Sequence, residues 1–392
     1  MRLLCRLLLL PVAAIAWCAA YASPYIPSDG KQILERLPSR NDPVQQAFAR
    51  LRAKLAQNPQ DLAVAAQLAR LYISTSRIDG DPRYLGYAQA VLRPWWNLEH
   101  PPQEVLLQRA IILQSIHQFP HALADLDTVL DTDPENGQAW LIRATVLTVL
   151  GDYPQAKASC ARLYRLTYDL VVQTCVANIG SLAGNLRSSY AALSHGLTLY
   201  PNLDAGVRIW VMTLLGEMAT RLGEPQQAEA HFRSAMALDT PDGYLLGAYS
   251  DFLLNQSRPG EVIELLKSRT RNDALLLRYA LALKAQKSSS AEERIESLRQ
   301  RFAAATMRGD TVHQRERARF ELHLLGNAQE ALQTAIKNWE VQKEPADLRI
   351  LLESAVAAND KQAMTLAVEW IDKTHFEDRT LRELLQIAQG KA

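Results

Sequence analysis

Along most of this chain the apolar residues recur every three or four positions, and strict alternation never persists long enough to predict a strand. The pattern also repeats on a longer scale. Leu106 to Leu113, followed by Phe119-Pro120-His121-Ala122, reappears 34 residues later as Trp140 to Leu147, followed by Tyr153-Pro154-Gln155-Ala156. At that offset Leu107 and Leu141, Arg109 and Arg143, Ala110 and Ala144, Leu113 and Leu147, Pro120 and Pro154, Ala122 and Ala156, and Ala124 and Ala158 coincide. Such a period predicts a helix-turn-helix unit stacked on copies of itself, because one unit alone cannot bury its apolar stripe.

Each unit is a set of slots. A large apolar residue is followed by a large residue beside a small one, another large one, a turn glycine, an aromatic, a small residue, a bulky one and often a proline. Helices with 3.6 residues per turn align these slots on one stripe, and Ala or Gly at the crossing lets the partner helix approach to about 8–10 Å. Glycine at the turn accepts the left-handed conformation that ends the first helix. The third unit supplies Trp140, Ala144, Leu147, Gly151, Tyr153 and Ala156. The second supplies Leu106, Ala110, Leu113, Phe119, Ala122 and Pro134, with His117 where the turn glycine belongs. The fourth runs Ala177, Gly180, Gly184 and Pro201; the fifth runs Leu215, Gly216, Gly223, Ala228, Phe232, Ala235 and Pro241.

These slots resemble the tetratricopeptide repeat. The resemblance covers about residues 59 to 375, and it is most specific in the second to fifth units. A first unit around Leu68-Ala69 and Tyr72 carries a turn enlarged over Arg77 to Tyr84. Degenerate units follow around Leu246 and Tyr249, Leu276 and Ala280, Leu322 and Gly326, and Leu351 and Asn359. The expected fold is all-α, a right-handed α-solenoid of stacked helix-turn-helix repeats. Repeats fill 59–272, with the best matches at 104–241, and degenerate repeats and C-terminal capping helices fill 273–392. Before them, 23–58 reads as a polar leader and a capping helix bearing Val44, Phe48, Leu51 and Leu55. Ser288-Ser289-Ser290 with Glu293 predicts a capping box opening a helix that ends near Met307.

Residues 1–22 read as an export signal, with Arg2 and Arg6 ahead of an apolar run from Leu7 to Trp17 and small residues around a cut after Ala22. Trp17 directly before Cys18 argues against a lipoprotein, and the apolar run is shorter than the roughly 20 residues a bilayer needs. A periplasmic or secreted product without stable membrane insertion is expected. Losing Arg2 and Arg6 turns the formal net charge of +1 into −1, so no polyanion is implied as partner. The most basic stretch, Lys284 to Arg319, interleaves both signs and reads as solvated helix faces, not a nucleic-acid stripe. Cysteines 160 and 175 remain after cleavage. With a helix ending near Thr167 and the next starting near Leu170 they face each other, and a disulfide closing about 15 residues would contribute on the order of 3 kcal/mol. The alternative is two separate small core residues.

Motifs for chemistry fail on spacing. The acids between Asp125 and Glu135 miss a calcium loop, whose glycine position holds Asn136 and whose closing Glu position holds Ile142. His117 and His121 are four apart but flank Phe119-Pro120 at the turn, so they offer no metal site. Gly180-Ser181-Leu182-Ala183-Gly184 lacks the strand-turn-helix setting of a nucleophile elbow. No catalytic residue, metal or cofactor is expected. One of Trp95 and Trp96 is expected to fill a first inter-repeat core, the other being either exposed beside the Arg77 to Tyr84 loop or packed into the same core.

The resemblance implies a concave surface, lined by the first helix of each unit, that binds a peptide or a segment of another protein. Residues one turn off the core stripe select Thr174, Asn178, Trp210, Thr213, Glu217, Arg221, Tyr244, Asp251 and Asn255. Asn and Thr hydrogen-bond an extended backbone, while Trp210 and Tyr244 give rigid contact area. The family's lysine-rich clamp for a terminal carboxylate is missing from these slots. With its leader the chain is similar to periplasmic assembly factors of bacteria, which implies a non-catalytic scaffold or adaptor. The alternative is a regulatory or substrate-presenting subunit of a cell-wall or polysaccharide enzyme.

Overall fold

The computed structural model describes residues 42–238, 242–309 and 312–391. The expected signal 1–22, the leader to residue 41 and Pro241 lie outside them. Helix α1 (Pro43–Gln57) crosses the boundary at Ala47/Phe48 between two compact units. The unit from Phe48 onward contains nine antiparallel helix pairs among the described residues. They begin with α2 (Leu62–Asp79) and α3 (Arg83–Trp96), α4 (Gln103–Ser115) and α5 (Phe119–Thr132), α6 (Gly137–Leu150) and α7 (Tyr153–Arg162), and α8 (Asp169–Leu182) and α9 (Leu186–Thr198). Next come α10 (Ala205–Leu222) with α11 (Pro225–Met236), α12 (Gly243–Asn255) with α13 (Pro259–Leu266), and α14 (Asp273–Ala285) with α15 (Ala291–Met307). Helix α16 (Gln314–Arg319) runs into a π-helical turn, Phe320–Leu325, and pairs with α17 (Ala328–Val341). Helices α18 (Pro345–Ala357) and α19 (Lys361–Thr374) form the last pair before a short α20 (Arg382–Ala388). No described residue is in a strand. The molecule is an all-α solenoid.

One backbone device recurs in every pair. The residue that ends the first helix has positive φ: Gly80 (63°), His117 (58°), Gly151 (78°), Gly184 (75°), Gly223 (73°), Ser257 (55°), Lys287 (54°), Gly326 (75°) and Asn359 (53°). The left-handed turn ends the first helix and lets the second fold back on it, and it is kept even where the side chain costs roughly 1–2 kcal/mol. A second device fixes the crossing. A Cβ at Gly216 would lie 2.7 Å from Phe232 Cε1, so the glycine slot of α10 is what admits the buried Phe232 ring of α11. A third pins the pairs laterally. Arg109 donates to Asp125 at 2.6 and 2.7 Å, and Arg143 donates to Ser159 Oγ at 2.8 Å, each reaching 16 residues ahead onto the second helix.

Three local expectations are corrected. Helix α2 continues to Asp79 and turns at Gly80, so Arg77 to Tyr84 is not an enlarged loop; Thr75 Oγ1 bonds Leu71 O and Ser76 Oγ bonds Asp81 O, so these hydroxyls need no loop to be satisfied. Ser290 is helical at φ −84°, ψ −2° and caps nothing, leaving no capping box there. Within 284–319, Glu316 is buried and Arg319 nearly so, which removes them from any solvated face. Trp95 is buried in the first inter-repeat core as expected, and Trp96 stands half-buried under the Arg109 guanidinium, 5.7 Å from its ring.

Successive first helices touch one another and successive second helices do so far less, which places the first helices on the inside of the curve. The curve is tight enough for late repeats to land on early ones. Helix α2 meets α12, and Asn272, the N-cap of α14, donates to Gly80 O at 3.2 Å. Lys343 N donates to Val149 O at 2.7 Å, Leu186 N donates to Glu377 Oε1 at 3.0 Å, and Arg379 donates to Leu222 O at 3.2 Å. This seam has an apolar core. Leu147, Tyr153, Ile179 and Leu182 share one cluster with Trp339, Leu351, Met364 and Phe376.

Candidate functional site

The inner wall carries the residues singled out in the sequence, and the structure divides them into three groups. Thr174 and Thr213 are fully buried and donate to Leu170 O (2.6 Å) and Ile209 O (2.7 Å) of their own helices. They are corrected from wall-facing to core, because one turn off the stripe on α8 and α10 still lies between neighbouring first helices. Arg221 is also spent. It donates to Ser181 O and Oγ at 2.8 Å each and stacks 5.4 Å from the Phe376 ring, and burial lowers its pKa.

Asp251 belongs to a second group that sequence reading missed almost entirely. It accepts from Arg278 at 2.5 Å and from Arg319 at 2.9 Å. Burial pushes its carboxyl up, and the two guanidinia outweigh that and hold it well below the usual carboxylate range. The network continues through Arg315, which bonds Glu344 at 2.9 Å and approaches Asp347 at 3.4 Å and Glu316 at 3.4 Å. Asp347 is fully buried and also accepts from Asn338 (2.8 Å) and Gln342 (2.9 Å). Glu316 is held down to about 2, where burial is outweighed by Arg315 and Arg278. A buried polar network of this kind holds only if its members are satisfied, so it fixes how α12, α14, α16 and α18 sit together.

The third group remains open. Tyr244 is 52% exposed and donates to Glu217 Oε2 at 2.6 Å. Among the described residues Glu217 has no ion pair; the surrounding protein raises its carboxyl to about 7, against the opposing effects of the Tyr244 hydrogen bond and Arg221. Burial and the Glu217 charge push the Tyr244 phenol well above its ordinary value. Trp210 lies half-buried on the α8–α10 core, Asn178 is half-buried on α8, and Asn255 is exposed at the end of α12. Asn255 lines a cleft of about 500 Å³ with Arg349, Arg379 and Arg382. Carboxyl, phenol, amide and indole groups of this kind suit hydrogen bonding and contact, and no nucleophile with an adjacent base is among them.

Elsewhere the chemistry is structural. His117 sits in the left-handed turn, stacked 5.4 Å from Phe119, and burial followed by the Arg315 charge lowers its pKa to about 4. Cys160 and Cys175 form a disulfide with Cα atoms 5.8 Å apart. Among the described residues no group of three or more metal-binding side chains converges, and no helix is long and apolar enough to cross a membrane.

A family model described as tetratricopeptide repeat matches residues 107–167 and 317–376. The chain carries tetratricopeptide repeats over these two stretches. The first match spans α4 to α7 and the turn after it, where the slots are clearest, and the second spans α16 to α19, where they are degenerate. No curated protein matches the chain. Among solved structures the chain is similar to a tetratricopeptide repeat protein from Parabacteroides merdae, at 18% identity, TM-score 0.42, covering 65% of this chain and 90% of that one. It is also similar to the Cut9–Hcn1 hetero-tetramer of the APC/C, at 15% identity and TM-score 0.41, covering 84% and 52%. A third is the human IFIT1 dimer with m7Gppp-AAAA, at 15% identity and TM-score 0.47, covering 89% and 86%. Folds of this repeat generally serve as scaffolds for protein–protein interaction and are typically non-catalytic.

Proposed function

We propose that this protein is a periplasmic interaction scaffold without catalysis of its own, and that it holds a segment of another protein against the inner wall formed by α8, α10 and α12. The observation that carries this reading is the Tyr244–Glu217 pair. Here, among the described residues of the wall, a half-buried carboxylate bonds an exposed aromatic ring and neither is committed to an ion pair of the fold. A partner's backbone N–H or basic side chain bonds Glu217, while Trp210 and Tyr244 supply rigid contact area at low entropic cost. The periplasmic placement rests on the basic and apolar leader of residues 1–22.

The test is photo-crosslinking from a reactive amino acid at Asn178 in intact cells, followed by fractionation. A captured protein in the periplasmic fraction that disappears in Trp210→Ala/Tyr244→Ala supports the reading; equal capture by that variant overturns the wall assignment. A regulatory subunit of an envelope enzyme would use the same wall. It separates from the scaffold by a captured enzyme whose turnover changes when this protein is deleted.

A further inference from the structure

The outer face of the third and fourth repeats has a composition unlike the rest of the chain. Between Tyr153 and Leu203 the only acidic residue is Asp169, against Lys157, Arg162, Arg165 and Arg187, in a protein whose charges as a whole balance to +1. Helices α7 and α9, the second helices of these repeats, contain no acid at all. Lys157, Arg162 and Arg165 are exposed, and Arg187 is paired with Glu224 at 2.9 Å.

At the centre stands the loop between α7 and α8. Its tyrosines, Tyr164 and Tyr168, are 63% and 71% exposed. That exposure is imposed on a fixed loop. The Cys160–Cys175 disulfide ties its base, Leu163 is fully buried beneath it, and Leu166 packs on α6 so closely that a Cβ at Gly137 would lie 3.3 Å from it. Between the tyrosines, Arg165 takes a left-handed conformation at φ 69° and lies 5.5 Å over the Tyr164 ring. Arginine in that conformation costs roughly 1–2 kcal/mol, which the surrounding anchors sustain. Arg162 lies 5.6 Å over half-buried Trp140, extending the strip.

We infer that this face, centred on Tyr164, Arg165 and Tyr168, is a docking surface for an acidic segment of a partner protein. Tyrosine and arginine are the side chains that dominate interface energetics, and a rigid loop presents them without an ordering cost. The charge bias selects the partner, since a basic segment would meet three exposed cations and an acidic one finds them as counter-charges. The loop lies at the edge of the repeats where α7 passes into α8, and the proposal does not rest on the Tyr244–Glu217 pair of the inner wall.

The experiment uses the full chain and a fluorescein-labelled peptide of alternating glutamate and leucine, read by fluorescence anisotropy. Binding is expected to weaken at least tenfold in Tyr164→Ala/Tyr168→Ala and several-fold in Arg165→Asn, a residue that tolerates the left-handed conformation. It is expected to weaken with added salt and to be unchanged in Lys337→Ala, an exposed position on α17. Both sets of substituted side chains at the loop are solvent-exposed, so circular dichroism should not change. Equal binding by the double variant, equal binding of the matching lysine–leucine peptide, or co-sedimentation with phosphatidylglycerol vesicles that outcompetes the peptide would each overturn the assignment.

Discussion

Replacing Gly151 by alanine tests whether the late repeats are seated on the early ones. Gly151 ends α6 at φ 78°, and a Cβ there would lie 2.9 Å from Cζ2 of Trp370 and closer still to Cη2. The indole has nowhere simple to go. Its ring is 5.5 Å from Trp339, 6.2 Å from Tyr153 and within cation–π reach of Lys343 and Lys373. Two costs therefore add: roughly 1–2 kcal/mol for the left-handed alanine and roughly 1–3 kcal/mol for displacing a packed ring. Gly326 supplies the control, with φ 75° and nothing within 4 Å of a Cβ. Gly326→Ala should cost only the first term, and the difference between the two variants isolates the seam. Urea unfolding followed by far-UV circular dichroism gives both values, and tryptophan fluorescence should report the loss in Gly151→Ala earlier than circular dichroism does. If the two variants lose the same stability to within about 0.5 kcal/mol, well below the cost of displacing a packed ring, Trp370 is not held against Gly151 and the reasoning fails.

Lowering the pH should destabilise the fold through His117. Its folded pKa, about 4, lies below the ordinary 6.5, so from pH 6.5 down to about 4 the unfolded chain binds a proton that the folded one does not. That loss is about 3 kcal/mol by pH 4 and levels off below it. Glu217, raised to about 7, opposes it over part of the range, so the measurable quantity is the difference between wild type and His117→Asn, and parallel pH profiles for the two would refute it. Asp251→Ala removes the carboxylate that Arg278 and Arg319 both bond and should cost about 3 kcal/mol, much of it recovered when both arginines are also changed to methionine; no recovery would mean that the pairs are not what holds these helices. Reducing the disulfide, or Cys160→Ser/Cys175→Ser, should cost about 3 kcal/mol and speed hydrogen exchange across Leu163 to Tyr168; unchanged exchange there would show that the loop is fixed by Leu163 and Leu166 alone.

The repeat slots made the helix pairs legible because their causes are local. Ala144, Gly216 and Phe232 fix a crossing within one unit, and His117 could be recognised as a turn residue because it occupies the glycine position of its neighbours. Lys287 and Ser257 fill the same turn without such a signal, since neither side chain favours positive φ and only the alignment of whole units would place them there. The wall was harder to read for a geometric reason. Asp251 meets Arg278 through adjacent repeats, 27 residues apart, but meets Arg319 across 68. Whether a groove residue stays open depends on the twist of the superhelix, which sums small rotations from every unit. The same sum brings Phe376 onto Arg221 and Trp370 onto Gly151. No single unit encodes it, and the alternating charges of 284–319 read as solvent-facing until that twist buries Glu316.

Where binding energy can be drawn from the inner wall depends on what each group would surrender. A partner that engaged Asp251, Arg315 or Asp347 would have to break ion pairs inside the protein, and separating such a pair costs roughly 3–5 kcal/mol before any new contact is made. Glu217 surrenders only a hydrogen bond from a half-exposed phenol, a net loss of about 1.5–3 kcal/mol that a partner's charged donor replaces. The fold has therefore concentrated its available contact energy between α10 and α12 while spending the charges of α12 to α18 on its own curvature. Burial lets Glu217 keep a proton more readily than Asp251, which its two arginines hold ionised, so the two carboxyls share the wall without uncompensated repulsion.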